Sequence, residues 1–206
     1  MGMWGMFALD RGLPFETGFP VQCQKSLYDC LVYGDTLRPY NSLFLGLGYL
    51  LGKGNGSYVT YQLLYGFLWW GRGVVTFLIF RRLWSAYPLF GFLVGGLVIV
   101  HASDGALNWI GQLHQFGFMF CLVLAIYLLL ESWLAPKKSL AIIFLVVSLL
   151  PLYICLWTYE SPYVLILSAP VILFALRPRF SRHLLATTAV WYILPGIYGY
   201  LQFQKY

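Results

Sequence analysis

After a mixed opening stretch, the chain settles into long apolar runs separated by short polar ones. Residues 1–40 combine Gly, Pro and polar side chains, with no apolar run long enough to span a bilayer. A short apolar run, Ser42 to Leu51, lies between Arg38-Pro39 and Lys53. As helix it covers only ~15 Å of a ~30 Å hydrocarbon core, so it predicts an interfacial or re-entrant helix. The stretch Gly52-Lys53-Gly54-Asn55-Gly56 predicts a turn. Six crossings are then expected, at 58–80, 84–101, 115–135, 139–158, 162–176 and 183–202. The fifth is the weakest, being short and containing Pro170. The expected fold is all-α: a polytopic transmembrane helix bundle of about six spans plus an outer interfacial helix. An extracytoplasmic segment, 1–57, precedes the bundle, 58–206.

Composition strengthens the membrane reading. The chain is 60% hydrophobic and 10% charged, against about 25% charged in soluble domains, and its mean hydropathy is +0.74. Met1 to Leu9 is apolar but short, with no basic flank, so a cleavable signal peptide is not expected. The net charge of +6 comes from basic residues that form no long run, which argues against nucleic acid as a partner. No internal repeat is apparent, which weighs against a transporter built from inverted repeats.

Charge sign adds an orientation. Basic clusters fall at Arg81-Arg82, Lys137-Lys138 and Arg177/Arg179/Arg182, and six of the seven acidic residues fall in the segments between: Asp10, Glu16, Asp29, Asp35, Asp104 and Glu160. Cytoplasmic loops collect Lys and Arg. The expectation is therefore a multi-pass protein with both termini extracytoplasmic and almost every acid on that outer side.

The candidate chemistry follows the same division. His101, Asp104, His114 and Glu160 fall at or near the outer ends of crossings, with Asp10, Glu16, Asp29 and Asp35 on the outer segment before them. Carboxylates at a membrane surface can act as general bases or hold a divalent cation that neutralises a phosphate leaving group; they can equally be acids excluded from the bilayer. Arg72 is the one charge deep in an apolar span and needs a partner or water. Glu131, near the inner end of the third span, is the expected partner in an intramembrane ion pair, while binding of a lipid phosphate or other anion is the alternative. Trp69, Trp70, Trp84, Trp109, Trp133 and Trp157 read as an interfacial aromatic belt, with Trp109, Tyr159 and Tyr163 best placed to serve instead as a stacking platform for a sugar. Cys121 and Cys155 read as core residues. Cys23 and Cys30 lie together on the outer side, where a disulfide can form in an oxidising compartment.

From Arg38 to Leu176, about two thirds of the chain, the order of features resembles the multi-pass C-type glycosyltransferases that use a polyprenyl-phosphate sugar donor, in particular the protein O-mannosyltransferase-like branch. The elements that carry the likeness are Asp35-Thr36-Leu37-Arg38-Pro39, the apolar segment Leu43–Leu51, the Gly52–Gly56 turn and Phe80-Arg81-Arg82-Leu83. Val100-His101-Ala102-Ser103-Asp104, Trp109-Ile110, Tyr159-Glu160-Ser161-Pro162 and Ala169-Pro170 follow. The chain departs from the pattern in lacking a Pro after His101, in carrying Tyr159 where a Lys is usual, and in having Asp10-Arg11 in place of an acid pair. It resembles only a truncated part of the family's length. The resemblance implies transfer of a sugar on the extracytoplasmic face. Asp10 would be the catalytic base, and Asp104 and Glu160 would orient the acceptor or a divalent cation. Arg11 or Arg38 would counter the donor phosphate, with His101 and Trp109 binding substrate. Membrane lipid, a polyprenyl-phosphate sugar and other membrane subunits are the partners expected. A second class of function stands beside this one: a non-catalytic multi-pass accessory subunit of a larger membrane protein complex.

Overall fold

The computed structural model describes residues 26–32, 38–52, 58–100, 113–176 and 182–205. Within them every element is a helix: α1 (Leu27–Leu31), α2 (Leu43–Leu51), α3 (Tyr58–Leu83), α4 (Pro88–Val100), α5 (Leu113–Leu134), α6 (Lys138–Thr158), α7 (Tyr163–Leu176) and α8 (Arg182–Lys205). Each of the six long apolar runs becomes one helix. Four of them, α3, α5, α6 and α8, are long and apolar enough to cross a membrane. The other two are apolar but short, with 13 residues in α4 and 14 in α7. At 1.5 Å per residue each spans about 20 Å, less than a ~30 Å core.

The core sits on α5, which packs between α3 and α6. Phe116, Cys121, Leu122, Ala125 and Leu129 of α5 are buried among Leu68, Val75, Leu152 and Leu156 of its neighbours. The outward faces reverse the soluble pattern. Phe67, Trp70 and Val74 on α3, Phe92 and Leu97 on α4, and Ile142, Val146 and Leu150 on α6 are all exposed. Apolar patches of that extent on a water-soluble monomer would be an aggregation hazard; against lipid they are the expected surface.

Helix α4 returns along the second half of α3 through a glycine contact. Gly91 and Gly95 are buried, four residues apart on one face, and a Cβ on Gly95 would sit 2.7 Å from the Gly73 carbonyl oxygen. Only a residue without a side chain lets the two backbones come that close, the geometry small residues give to membrane helix pairs. Because α4 ends beside Gly73, the first half of α3 continues past it by about 20 Å. The last-turn carbonyls of α4 therefore end beside the middle of α3. Arg72 meets them there: its Nη2 donates to the Val98 carbonyl at 3.1 Å, and its guanidinium lies 5.2 Å from the Phe116 ring centroid. A cation beside the last-turn carbonyls of a helix complements the helix dipole. These contacts help to hold a buried arginine in an apolar span.

Proline 170 raises the same question in α7. Lacking an N–H, it leaves the carbonyl four residues earlier, that of Ile166, without its helical donor. The indole Nε1 of the fully buried Trp191 on α8 donates to that oxygen at 3.1 Å, and the Tyr192 hydroxyl donates to the Leu167 carbonyl at 2.7 Å. Two side chains of α8 thus repair the broken ladder of α7, as a Pro-containing helix in hydrocarbon requires.

The ends of the bundle are distinct. Glu131 on α5 accepts from Arg82 at the end of α3, and His183 at the start of α8 lies 3.3 Å from the Ser132 carbonyl in the last turn of α5. These contacts put Arg81, Arg82, Lys137 and Lys138 at one end, here called the basic end. At the other end α1 and α2 pack on the bundle. Phe44 of α2 lies where a Cβ on Gly117 of α5 would have to go, and Thr60 of α3 donates to the Gly48 carbonyl at 3.1 Å.

Candidate functional site

The polar feature of the second end is a contact between the segment before α2 and the loop after α6. The Arg38 guanidinium is hydrogen-bonded and ion-paired to Glu160, 122 residues later in the chain, with about 40% of each side chain exposed. The backbone holds this approach in place, since the Tyr40 N–H donates to the Trp157 carbonyl at 3.3 Å in the last turn of α6. The Arg38 guanidinium also lies 5.1 Å from the centroid of Tyr159, whose ring stacks on Phe118 at 5.4 Å and 16° and leans on His114 at 5.9 Å. A cation over a tyrosine face is worth ~0.5–1 kcal/mol when exposed. One oxygen of Glu160 takes the arginine; the other is shielded from solvent and makes no hydrogen bond among the described residues.

Beneath the pair runs a series of rings. Tyr40 meets Tyr153 edge-on at 5.6 Å, Tyr153 meets Trp157 at 4.5 Å, Trp157 meets Tyr198 at 5.1 Å, and Tyr198 meets Tyr163 at 6.0 Å. They draw α6, α7 and α8 together below a polar surface. The hydrogen bond with Tyr153, followed by burial, pushes the Tyr40 phenol up to about 12. Tyr40 is thus a neutral donor near pH 7, unsuited to act as a general base. The arrangement offers one cation able to meet a phosphate, one carboxylate able to accept a hydroxyl proton or hydrogen bond, and aromatic faces of the kind sugars stack on.

Of the residues expected to form a site, Arg38 and Glu160 are brought together. Asp10, Arg11, His101, Asp104 and Trp109 lie outside the described residues, and so does Cys23; Cys30 itself is disulfide-bonded, and Cys121 and Cys155 are free thiols. The described residues contain no group of three or more metal-ligating side chains; of the acids expected to orient the acceptor or a divalent cation, Glu160 is among them and Asp104 is not. The intramembrane pair takes a different form from the one expected. Both oxygens of Glu131 bind Arg82, at 2.6 and 2.7 Å, and Arg72 contacts Val98 and Phe116 instead. Arg72 lies ten residues before Arg82, about 15 Å along α3, while Glu131 stands within a turn of the end of α5, level with Arg82. Sequence reasoning passed over Tyr40, Tyr153 and Tyr198, whose only signal was a high tyrosine count.

The fold defines the class: the described residues are all-helical, with four helices among them long and apolar enough to cross a membrane, as multi-pass integral membrane proteins are built. Comparison adds no family to this: no family model matches the chain, and neither a curated protein nor a solved structure matches it.

Proposed function

We propose that this membrane protein transfers a sugar from a polyprenyl-phosphate donor, with the reaction at the Arg38–Glu160 end and that end facing the extracytoplasmic side. The observation that carries the reading is the convergence of Arg38 and Glu160, residues to which the resemblance assigns the donor phosphate and the acceptor, over the Tyr159–Phe118 stack. In this reading Arg38 leaves Glu160 to neutralise the donor phosphate, and the freed carboxylate orients the acceptor hydroxyl. Asp10 is the general base, and Asp104 joins Glu160 in orienting the acceptor or a divalent cation. Basic residues at the opposite end agree with a cytoplasmic position there. Asp10→Asn keeps size and removes the base, so sugar transfer into membrane acceptors falls by roughly 10²–10⁴-fold.

The Arg38–Glu160 contact itself favours a second reading. An ion pair already made within the chain suits a clasp that ties α2 to the bundle, as a non-catalytic subunit of a larger complex would use. The charge-swapped double variant, Arg38→Glu with Glu160→Arg, separates the two. A clasp tolerates the swap, and both assembly and stability persist. A donor-phosphate site does not, and transfer is lost while the fold persists. Full transfer in the swapped variant would remove the catalytic role of Arg38.

A further inference from the structure

We propose that the basic end carries a site for an anionic membrane phospholipid, separate from the Arg38–Glu160 cluster. A cavity of about 940 Å³ opens where α3 and α5 end and α4 begins, lined by Arg81, Arg82, Ser85 and Tyr127 among others. The charges there do not balance. Glu131 is taken by Arg82, and Arg81, which is exposed, makes no ion pair among the described residues. Lys137 and Lys138 stand at the same end on the α5–α6 turn. The cavity therefore has a net positive charge, a hydroxyl at Ser85, and room for a phosphate headgroup.

What makes the ligand a lipid is the neighbouring groove. Phe77 lines this cavity and also a second one of about 480 Å³ between α3 and α4, whose walls include Trp70, Val74, Phe92 and Gly96. This second space is apolar and faces outward, since Trp70, Val74 and Phe92 are exposed. From Phe77 to Trp70 it extends about 10 Å along α3. A basic chamber at a bundle end, with Phe77 as a wall shared with an apolar groove running up the outside, matches a phosphate with an acyl chain attached. A free phosphate would have no use for the groove. A zwitterionic headgroup would bring its own cation against Arg81. Basic pockets between spanning helices are general sites for anionic headgroups.

The test uses the full chain reconstituted with equal amounts of phosphatidylglycerol and phosphatidylcholine, then released into mild detergent for native mass spectrometry. Phosphatidylglycerol should be retained in preference. Arg81→Gln, at an exposed position, should weaken that retention about fivefold and leave phosphatidylcholine unchanged. Gly96→Leu should weaken both lipids: a Cβ there meets nothing within 4 Å, so the new side chain fills the groove without disturbing the packing. Millimolar inorganic phosphate should not displace the lipid. Equal retention of the two lipids, an Arg81→Gln variant that keeps the preference, a Gly96→Leu variant that retains both lipids fully, or displacement by phosphate alone would each overturn the proposal.

Discussion

Each end of the bundle carries an arginine–glutamate pair, and the two are physically unlike. At the basic end Arg82 grips both oxygens of Glu131, whose side chain is only 7% exposed while the arginine is 55% exposed. At the other end Arg38 and Glu160 are each about 40% exposed and joined through one oxygen. The first pair links the ends of two packed helices, α3 and α5, 49 residues apart; the second bridges 122 residues between two loops. Burial decides what each can do. A carboxylate sunk into the bundle needs its partner continuously, because an uncompensated buried charge is costly. A half-exposed pair contributes little in water and can open to admit another ion. The basic end therefore uses its ion pair as structure, whereas the opposite end relies for structure on packing and leaves its ion pair available.

The comparison breaks most readily at Arg82. Arg82→Gln leaves Glu131 buried without its counter-charge, and the expected loss is about 3 kcal/mol, the low end of the range for a broken buried pair because Arg82 is itself largely exposed. Thermal unfolding in detergent measures it, and adding Glu131→Gln should restore most of the stability. Equal damage from the single and double variants would mean that the arginine stem, not its charge, supports the bundle.

A smaller effect sharpens the contrast from the other side. Gly117→Ala places a methyl group where the Phe44 ring lies, so α2 must move off α5. The expected cost is about 1–3 kcal/mol, with increased protease cleavage between residues 38 and 52. An unchanged cleavage pattern would show that packing is not what holds this end.

The smallest stability change belongs to the exposed pair. Arg38→Gln should alter unfolding by only ~0–1 kcal/mol, while its effect on sugar transfer is large if Arg38 meets the donor phosphate. A stability loss comparable to that of Arg82→Gln would erase the distinction between the ends.

Much of the framework was legible in the chain. Each long apolar run is a helix whose bounds lie within a few residues of the pattern, the Ser42–Leu51 run is a helix at Leu43–Leu51, and the basic pairs Arg81-Arg82 and Lys137-Lys138 share an end. These features are local. Apolar run length sets where a helix can persist, and charges are excluded from the runs wherever they fall. The expected crossing at 84–101 is a helix only from Pro88 to Val100, so the pattern overstated its length.

What the tertiary structure alone decided was partnership. Arg72 is the expected partner of Glu131, and the register between α3 and α5 sets Arg82 level with that carboxylate instead. That register comes from packing at positions such as Gly71 against Phe120, which hydropathy does not record. Trp191 closing the ladder that Pro170 opens, and Arg38 finding Glu160 across 122 residues, arise in the same way. A sequence states which groups must be buried or satisfied, because that follows from each residue's own chemistry. Which partner satisfies them depends on how whole helices seat against one another, and that is a property of the assembled bundle.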